Sequence, residues 1–293
     1  MRIVLELSFP FFLLLSKFMY EMKLDLLPQD CIGYILSFAS ARDICRMSLV
    51  SPAMQVASES DILWEKFLPL DYEEVLSRLV SPIVFKSKKE LFLKLCNPVL
   101  IDKGEKMLWL DKLTGKKSCM LSARELSITW ADHPLYWSWK PLLQSRFAEV
   151  VELISIWWLE INAKINTRML SPNTSYKAYL IVKFANRAYG LDSLHSKVSV
   201  EVSNYRTNRT IYLRHPDRKI QLSERLYTLS SVYTGNEDTV PCKREDGWLE
   251  IELGEFYNDG SEDEVKMSLK EVSGAHLKGG LIVGGIEIRP KKE

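Results

Sequence analysis

Between residues 157 and 166 apolar and polar side chains alternate without a break. Trp157, Leu159, Ile161, Ala163 and Ile165 stand against Trp158, Glu160, Asn162, Lys164 and Asn166. A period of two fits a strand and not a helix, and one apolar face with one polar face makes that strand half-buried. The alternation returns in Tyr176, Ala178, Leu180, Val182 and Phe184, then in Val198, Val200 and Val202, and in Ile211 with Leu213. Leu249, Ile251 and Leu253 repeat it around Glu250 and Glu252, and Ile286 and Ile288 around Glu287. Turn signals separate these runs: Ser171-Pro-Asn, Tyr189-Gly, Asp246-Gly, Asn258-Asp-Gly and Gly279-Gly. Many short strands with no helical period between them predict an antiparallel sandwich rather than a parallel sheet.

The first third reads differently. Pro28 suits the start of a helix, where its missing N–H has no partner to lose. Ile32, Ile35, Leu36 and Phe38 follow at largely helical spacing. Ser40 is a capping residue for a second helix carrying Ile44, Met47, Leu49 and Val50, and a third segment runs from Pro52 toward Trp64 and Phe67. About fifty residues of short helices carry more apolar surface than so small a unit buries alone. That surface is either packed on the rest of the chain or made for a partner. Residues 71–97 still read helical, with Val75, Leu76 and Leu79 on one stripe and Leu91, Phe92 and Leu95 on another. Ser81-Pro82 separates the stripes, and the lysine run between them reads as a solvated face.

Charge and cysteine usage exclude some classes. The 293 residues carry 39 basic and 38 acidic side chains, so no basic field points to nucleic acid. The five cysteines are odd in number and widely spaced, without a C-x-x-C, which fits reduced thiols in a cytoplasmic or nuclear protein. Ile3 to Phe18 is strongly apolar behind Arg2, but Glu6 and Pro10 interrupt it and Lys17 closes it. It is short for a bilayer span and lacks a small-x-small cleavage pattern, so residues 1–22 read as an extension and a membrane partner is not expected. Membrane attachment through this run is the distant rival reading.

Two resemblances organise the rest. Leu24-Asp-Leu-Leu-Pro-Gln-Asp-Cys-Ile-Gly-Tyr-Ile-Leu-Ser-Phe38 resembles the F-box, over residues 23–69, with Asp30 where many F-boxes have Glu. Gly115-Lys-Lys-Ser-Cys-Met-Leu-Ser-Ala-Arg-Glu-Leu-Ser-Ile-Thr-Trp130, Asp132-His-Pro-Leu-Tyr-Trp-Ser-Trp139, Glu245-Asp-Gly-Trp-Leu-Glu-Ile-Glu-Leu-Gly-Glu-Phe256 and Gly284-Gly-Ile-Glu-Ile-Arg-Pro290 resemble the phloem protein 2 lectin domain of plants, over residues 106–290. Residues 70–105 read as a helical linker between them. The implied fold is α+β in two modules: a small helical F-box, then an antiparallel β-sandwich of lectin or jelly-roll type. The resemblance implies a plant F-box protein with a phloem-lectin-like domain, docking on a Skp-type adaptor and through it on a cullin. It would be the substrate-recognition subunit of that ubiquitin ligase, non-catalytic, selecting a glycan or glycoprotein. The alternative is a lectin acting without ligase assembly. The adaptor set implied is Leu26, Leu27, Pro28, Ile32, Ile35, Leu36, Ile44 and Leu49, although the same residues also suit the core of the bundle.

Catalytic and metal motifs are wanting. There is no G-x-S-x-G or H-E-x-x-H, and the four histidines are far apart. Gly115-Lys-Lys-Ser lacks the earlier glycine of a phosphate loop and reads as a polar turn. Asp259-Gly-Ser-Glu-Asp-Glu264 lacks the alternating oxygens of a calcium loop. No cofactor, metal or catalytic residue is expected. Aromatics are the better candidates, because an outward Trp stacks on the apolar face of a sugar ring. Most tryptophans fill cores. Trp158 and Trp248 share strand parity with charged residues, which makes them the carbohydrate-binding candidates.

Overall fold

The computed structural model describes residues 27–216 and 240–292. The chain divides into two compact units. One holds residues 27–77, 82–98 and 110–116; the other holds 78–81, 99–109 and 117–292. The apolar extension (1–22) and Leu26 lie outside the described residues.

Among the described residues six short helices build the first unit: α1 (Gln29–Leu36), α2 (Ala41–Met47), α3 (Pro52–Ser58), α4 (Asp61–Glu65), α5 (Tyr72–Ser77) and α6 (Lys88–Leu95). Their starts follow local chemistry. Pro28 precedes α1, and its carbonyl accepts from the N–H groups of Cys31 and Ile32. Ser40, Ser51 and Ser87 cap α2, α3 and α6, each side chain accepting a backbone N–H three residues on. Trp64 is fully buried, donates its indole N–H to Ser58 O at 2.6 Å, and packs on Phe92 of α6 at 5.4 Å. The stretch drawn as a helical linker therefore contributes α6 to this unit's own core. Ile32, Leu36 and Ile44 are buried in the same core. The Gly115 turn closes on Asp111, whose carboxylate accepts from the N–H groups of Leu113 and Thr114. Gly115 has φ +67°, and a Cβ there would lie 2.6 Å from Phe67 O, so both its conformation and its neighbour require glycine.

The second unit is two antiparallel sheets. The large one runs β1 (Val99–Ile101), β2 (Lys106–Leu110), β3 (Lys117–Ser122), β14 (Gly279–Pro290), β8 (Thr174–Tyr189), β12 (Leu249–Asn258) and β11 (Cys242–Lys243), with β5 (Trp137–Lys140) paired to β6 (Val150–Leu153) and β6 to β14. The small one runs β10 (Tyr205–Ile211), β9 (Ser196–Val202), β13 (Glu264–Glu271), β7 (Leu159–Asn166) and β4 (Ser127–Ile128). The alternating apolar runs meet between them: Leu159, Ile161 and Ile165; Tyr176, Ala178, Leu180 and Val182; Val198 and Val200; Leu249, Ile251 and Leu253; and Ile286 and Ile288 all join one core. At β14 the register shifts between Val283 and Gly285, a bulge that lets Gly285 approach the backbone of Leu121.

The sheets differ on their outer faces. The small sheet is wet there. The large sheet carries a second apolar cluster of Met107, Met120, Phe147, Val150, Tyr179, Ile181, Trp248 and Ile282. At one end of the sandwich a buried ion pair joins Lys278 and Glu271. Lys278 also donates to Trp157 O at 2.7 Å and His276 O at 2.9 Å, and its backbone bridges Ile156. These bonds hold the chain in a bend before β7. Trp157 is consequently exposed, correcting the inward position its parity predicts.

Candidate functional site

The loop from β4 to β5 concentrates the aromatic chemistry. Two tryptophans of β5 hold it from below. Trp137 donates its indole N–H to Thr129 O and Trp139 to Ala131 O, both at 3.0 Å. The Arg124 guanidinium covers the Trp139 ring at 3.6 Å and pairs with Glu149 at 2.6 Å. The two carbonyls so gripped flank Trp130. That residue has φ +59°, a left-handed conformation that costs a non-glycine residue about 1–2 kcal/mol. Its side chain is 52% exposed, beside Tyr136 at 5.5 Å, with His133 at 4.7 Å from the Tyr136 ring. Strained backbone positions of this kind cluster at functional sites. In the sequence Trp130, Trp137 and Trp139 fall within ten residues of one another. Which of the three faces outward is not visible there.

Trp158 is 41% exposed and stands at the edge of the small sheet's wet face. Its indole N–H donates to Glu160 Oε2 at 3.1 Å. Glu160 also receives Lys270 Nζ at 2.8 Å and Asn162 Nδ2 at 3.2 Å. Lys270, then Trp158 and Asn162, draw the Glu160 carboxyl down to about 2. The ring is thereby tethered at its polar edge with its faces available.

Trp248 does not serve this face. It has the outward parity its sequence neighbours predict, but that side of the large sheet is covered, and Trp248 is 4% exposed. Its indole N–H donates to Gln144 O at 2.9 Å, its ring lies over Gly284, and the Lys183 ammonium stands 4.8 Å from the ring. Parity tells which face a residue takes. It does not tell whether a distant segment covers that face.

The helical unit sorts the adaptor candidates in the same way. Leu27 and Pro28 are exposed, Leu49 is 87% exposed, and Ile35 is half-buried. Ile32, Leu36 and Ile44 are corrected to internal positions, because α1 packs Ile32 and Leu36 on α3 and α4, and α2 packs Ile44 on α3. Tyr34, Val56 and Ile62, which the helical period did not single out, are exposed and line a cleft with Lys66, and Phe38 of the predicted stripe is exposed as well, edge-on to Tyr34 at 5.0 Å. Among the described residues no group of three His, Cys, Asp or Glu side chains is placed to hold a metal ion.

Residues 116–290 match the family model described as Phloem protein 2, and residues 24–69 match the one described as F-box-like. The chain is an F-box protein of the phloem protein 2 family. Among its relatives, F-box protein PP2-B15 of Arabidopsis thaliana is 48% identical over 279 residues, covering 91% of this chain and 96% of the relative. F-box protein VBF of the same plant is 44% identical, covering 91% of this chain and 99% of that one. In this F-box protein α1 to α4 fall inside the F-box-like match, whereas α5 and α6 lie in neither match. The F-box implies binding to a Skp-type adaptor, and F-box proteins are generally substrate receptors rather than catalysts.

Proposed function

We propose that this chain is the substrate-recognition subunit of a Skp–cullin–F-box ubiquitin ligase and that its sandwich selects a glycan or glycoprotein. Adaptor contact falls to the exposed part of the helical unit, with Leu27, Pro28 and Leu49 as anchors. Ile35 lies at the margin of that surface, and Leu26 belongs to the same Leu-Leu-Pro segment. The observation that carries the glycan half is Trp130, held half-exposed in a strained conformation by the indole donors of Trp137 and Trp139. Trp158 is a second exposed ring with a fixed edge. A flat aromatic face takes the apolar face of a pyranose, and polar neighbours fix its hydroxyls. Such a shallow site binds weakly, on the order of micromolar to millimolar.

The test is a glycan array with the full chain, followed by titration of the sugars it retains. Trp130→Ala is expected to remove most of the affinity while the melting temperature stays near that of the parent. Sugar binding untouched by Trp130→Ala and Trp158→Ala together would place recognition elsewhere. Co-purification with a Skp-type adaptor tests the other half, and glycan binding without it would leave a lectin acting outside the ligase.

A further inference from the structure

The wet face of the small sheet carries a basic trough across all five strands. The register aligns Ser127, Asn162, Ser268, Ser199 and Asn208, one per strand, along its floor. Ser199 Oγ and Ser268 Oγ are 2.8 Å apart. One wall is Lys164, Lys266, Glu201 and Arg206, and the other is Glu160, Lys270 and Lys197. The walls set five cations against two carboxylates, and Glu125 and Glu271, which also line the trough, are paired with Lys106 and Lys278. Lys270 is paired with Glu160, Lys164 with Glu264, and Arg206 stands 4.0 Å from Glu201. Lys197 and Lys266 make no ion pair among the described residues. Two adjoining depressions of about 410 and 430 Å³ occupy the trough and share Ser199, Arg206, Ser268 and Lys270.

We propose that this trough binds a linear, carboxylate-bearing oligosaccharide, a uronate chain, laid across the strands at about one ring per strand. Neighbouring strands lie about 4.8 Å apart, close to the advance of one pyranose unit along an extended chain. Hydroxyl and amide groups on the floor therefore recur in step with the sugar hydroxyls. Lys197 and Lys266, which make no ion pair among the described residues, complement the uronate charges. A peptide that adds as a strand needs an open edge, and the floor across β9, β13 and β7 is paired on both sides. The trough also leads to the aromatic loop, because Thr129 N–H donates to Glu160 O at 3.1 Å and Trp130 follows directly. The inference rests on the glycan-receptor reading and extends it: Trp130 holds one ring, and the trough holds the chain that continues from it.

The experiment titrates the full chain with oligogalacturonate of four to six units and with its methyl-esterified form, which keeps the backbone and removes the charge. The acid is expected to bind about tenfold more tightly than the ester, with the difference shrinking as ionic strength rises toward about 0.5 M. Lys197→Gln with Lys266→Gln, both at exposed positions, should weaken acid binding about tenfold and leave ester binding unchanged. Equal binding of acid and ester, or a double variant that binds the acid as the parent does, overturns the trough. Poly-glutamate competing as well as the uronate also overturns it, by making the surface a general site for acidic peptides. In these outcomes ester binding that Trp130→Ala abolishes still upholds the glycan-receptor reading. Failure of every saccharide to bind overturns both.

Discussion

Replacing Trp248 separates a packing role from a binding role more sharply than any other substitution in the sandwich. Its ring fills the outer cluster of the large sheet with Phe147, Tyr179 and Ile181, against the space left by Gly284. Trp248→Ala removes that contact area and leaves a cavity that a sheet fixed by hydrogen bonds on both sides collapses only partly. Truncation of a buried Trp costs about 3–5 kcal/mol. Loss of the bond to Gln144 O adds little, because that carbonyl belongs to an exposed loop residue that water reaches. For a unit of this size, 1 kcal/mol moves the melting temperature by about 2–4 °C, so a fall of roughly 6–20 °C is expected. The assay is thermal and denaturant unfolding followed by circular dichroism, with sugar affinity measured below the transition and corrected for the folded fraction. Stability should fall and affinity per folded molecule should hold. A variant as stable as the parent that has lost sugar binding would refute the reasoning and return Trp248 to the surface.

Three further outcomes follow from the same geometry. Leu27→Ala with Pro28→Ala should cut adaptor recovery ten- to several-hundred-fold with little change in melting temperature, whereas Ile44→Ala should destabilise the helical unit by about 2–5 kcal/mol; comparing pull-down with calorimetry checks both. Trp130→Gly should abolish sugar binding yet stabilise the sandwich by about 1 kcal/mol, because glycine takes the left-handed conformation without strain; unfolding curves decide the sign. Glu160 has a folded-state pKa lowered to about 2, so its contribution is complete above the ordinary value near 4.5 and is lost as pH falls toward about 2. The Trp158 component of fluorescence, obtained by difference with Trp158→Phe, should therefore stay constant from neutral pH to about 4, and a transition near pH 6 would contradict the tether.

Local chemistry alone determined a large part of this protein. The period-two runs place their apolar members in the inter-sheet core, since alternation is a property of the strand itself and needs no partner to be read. The capping serines and Pro28 set helix starts for the same reason. The F-box and phloem protein 2 segments are likewise legible as contiguous strings. Tertiary structure decided what depends on residues far apart in the chain. Trp248 is covered because the segment carrying Gln144 and Phe147 crosses the outer face of the large sheet, some hundred residues away in sequence. Trp157 turns out because Lys278 takes its carbonyl. Ile32, Leu36 and Ile44 turn inward although their stripe suits a partner as well as a core, because an amphipathic period marks an apolar face without saying what meets it. Trp130 is exposed only because two indoles from the next strand hold its neighbours, and the trough exists only because five strands arrive in one register. Pairing and coverage are long-range events, and no single window of sequence contains both of their partners.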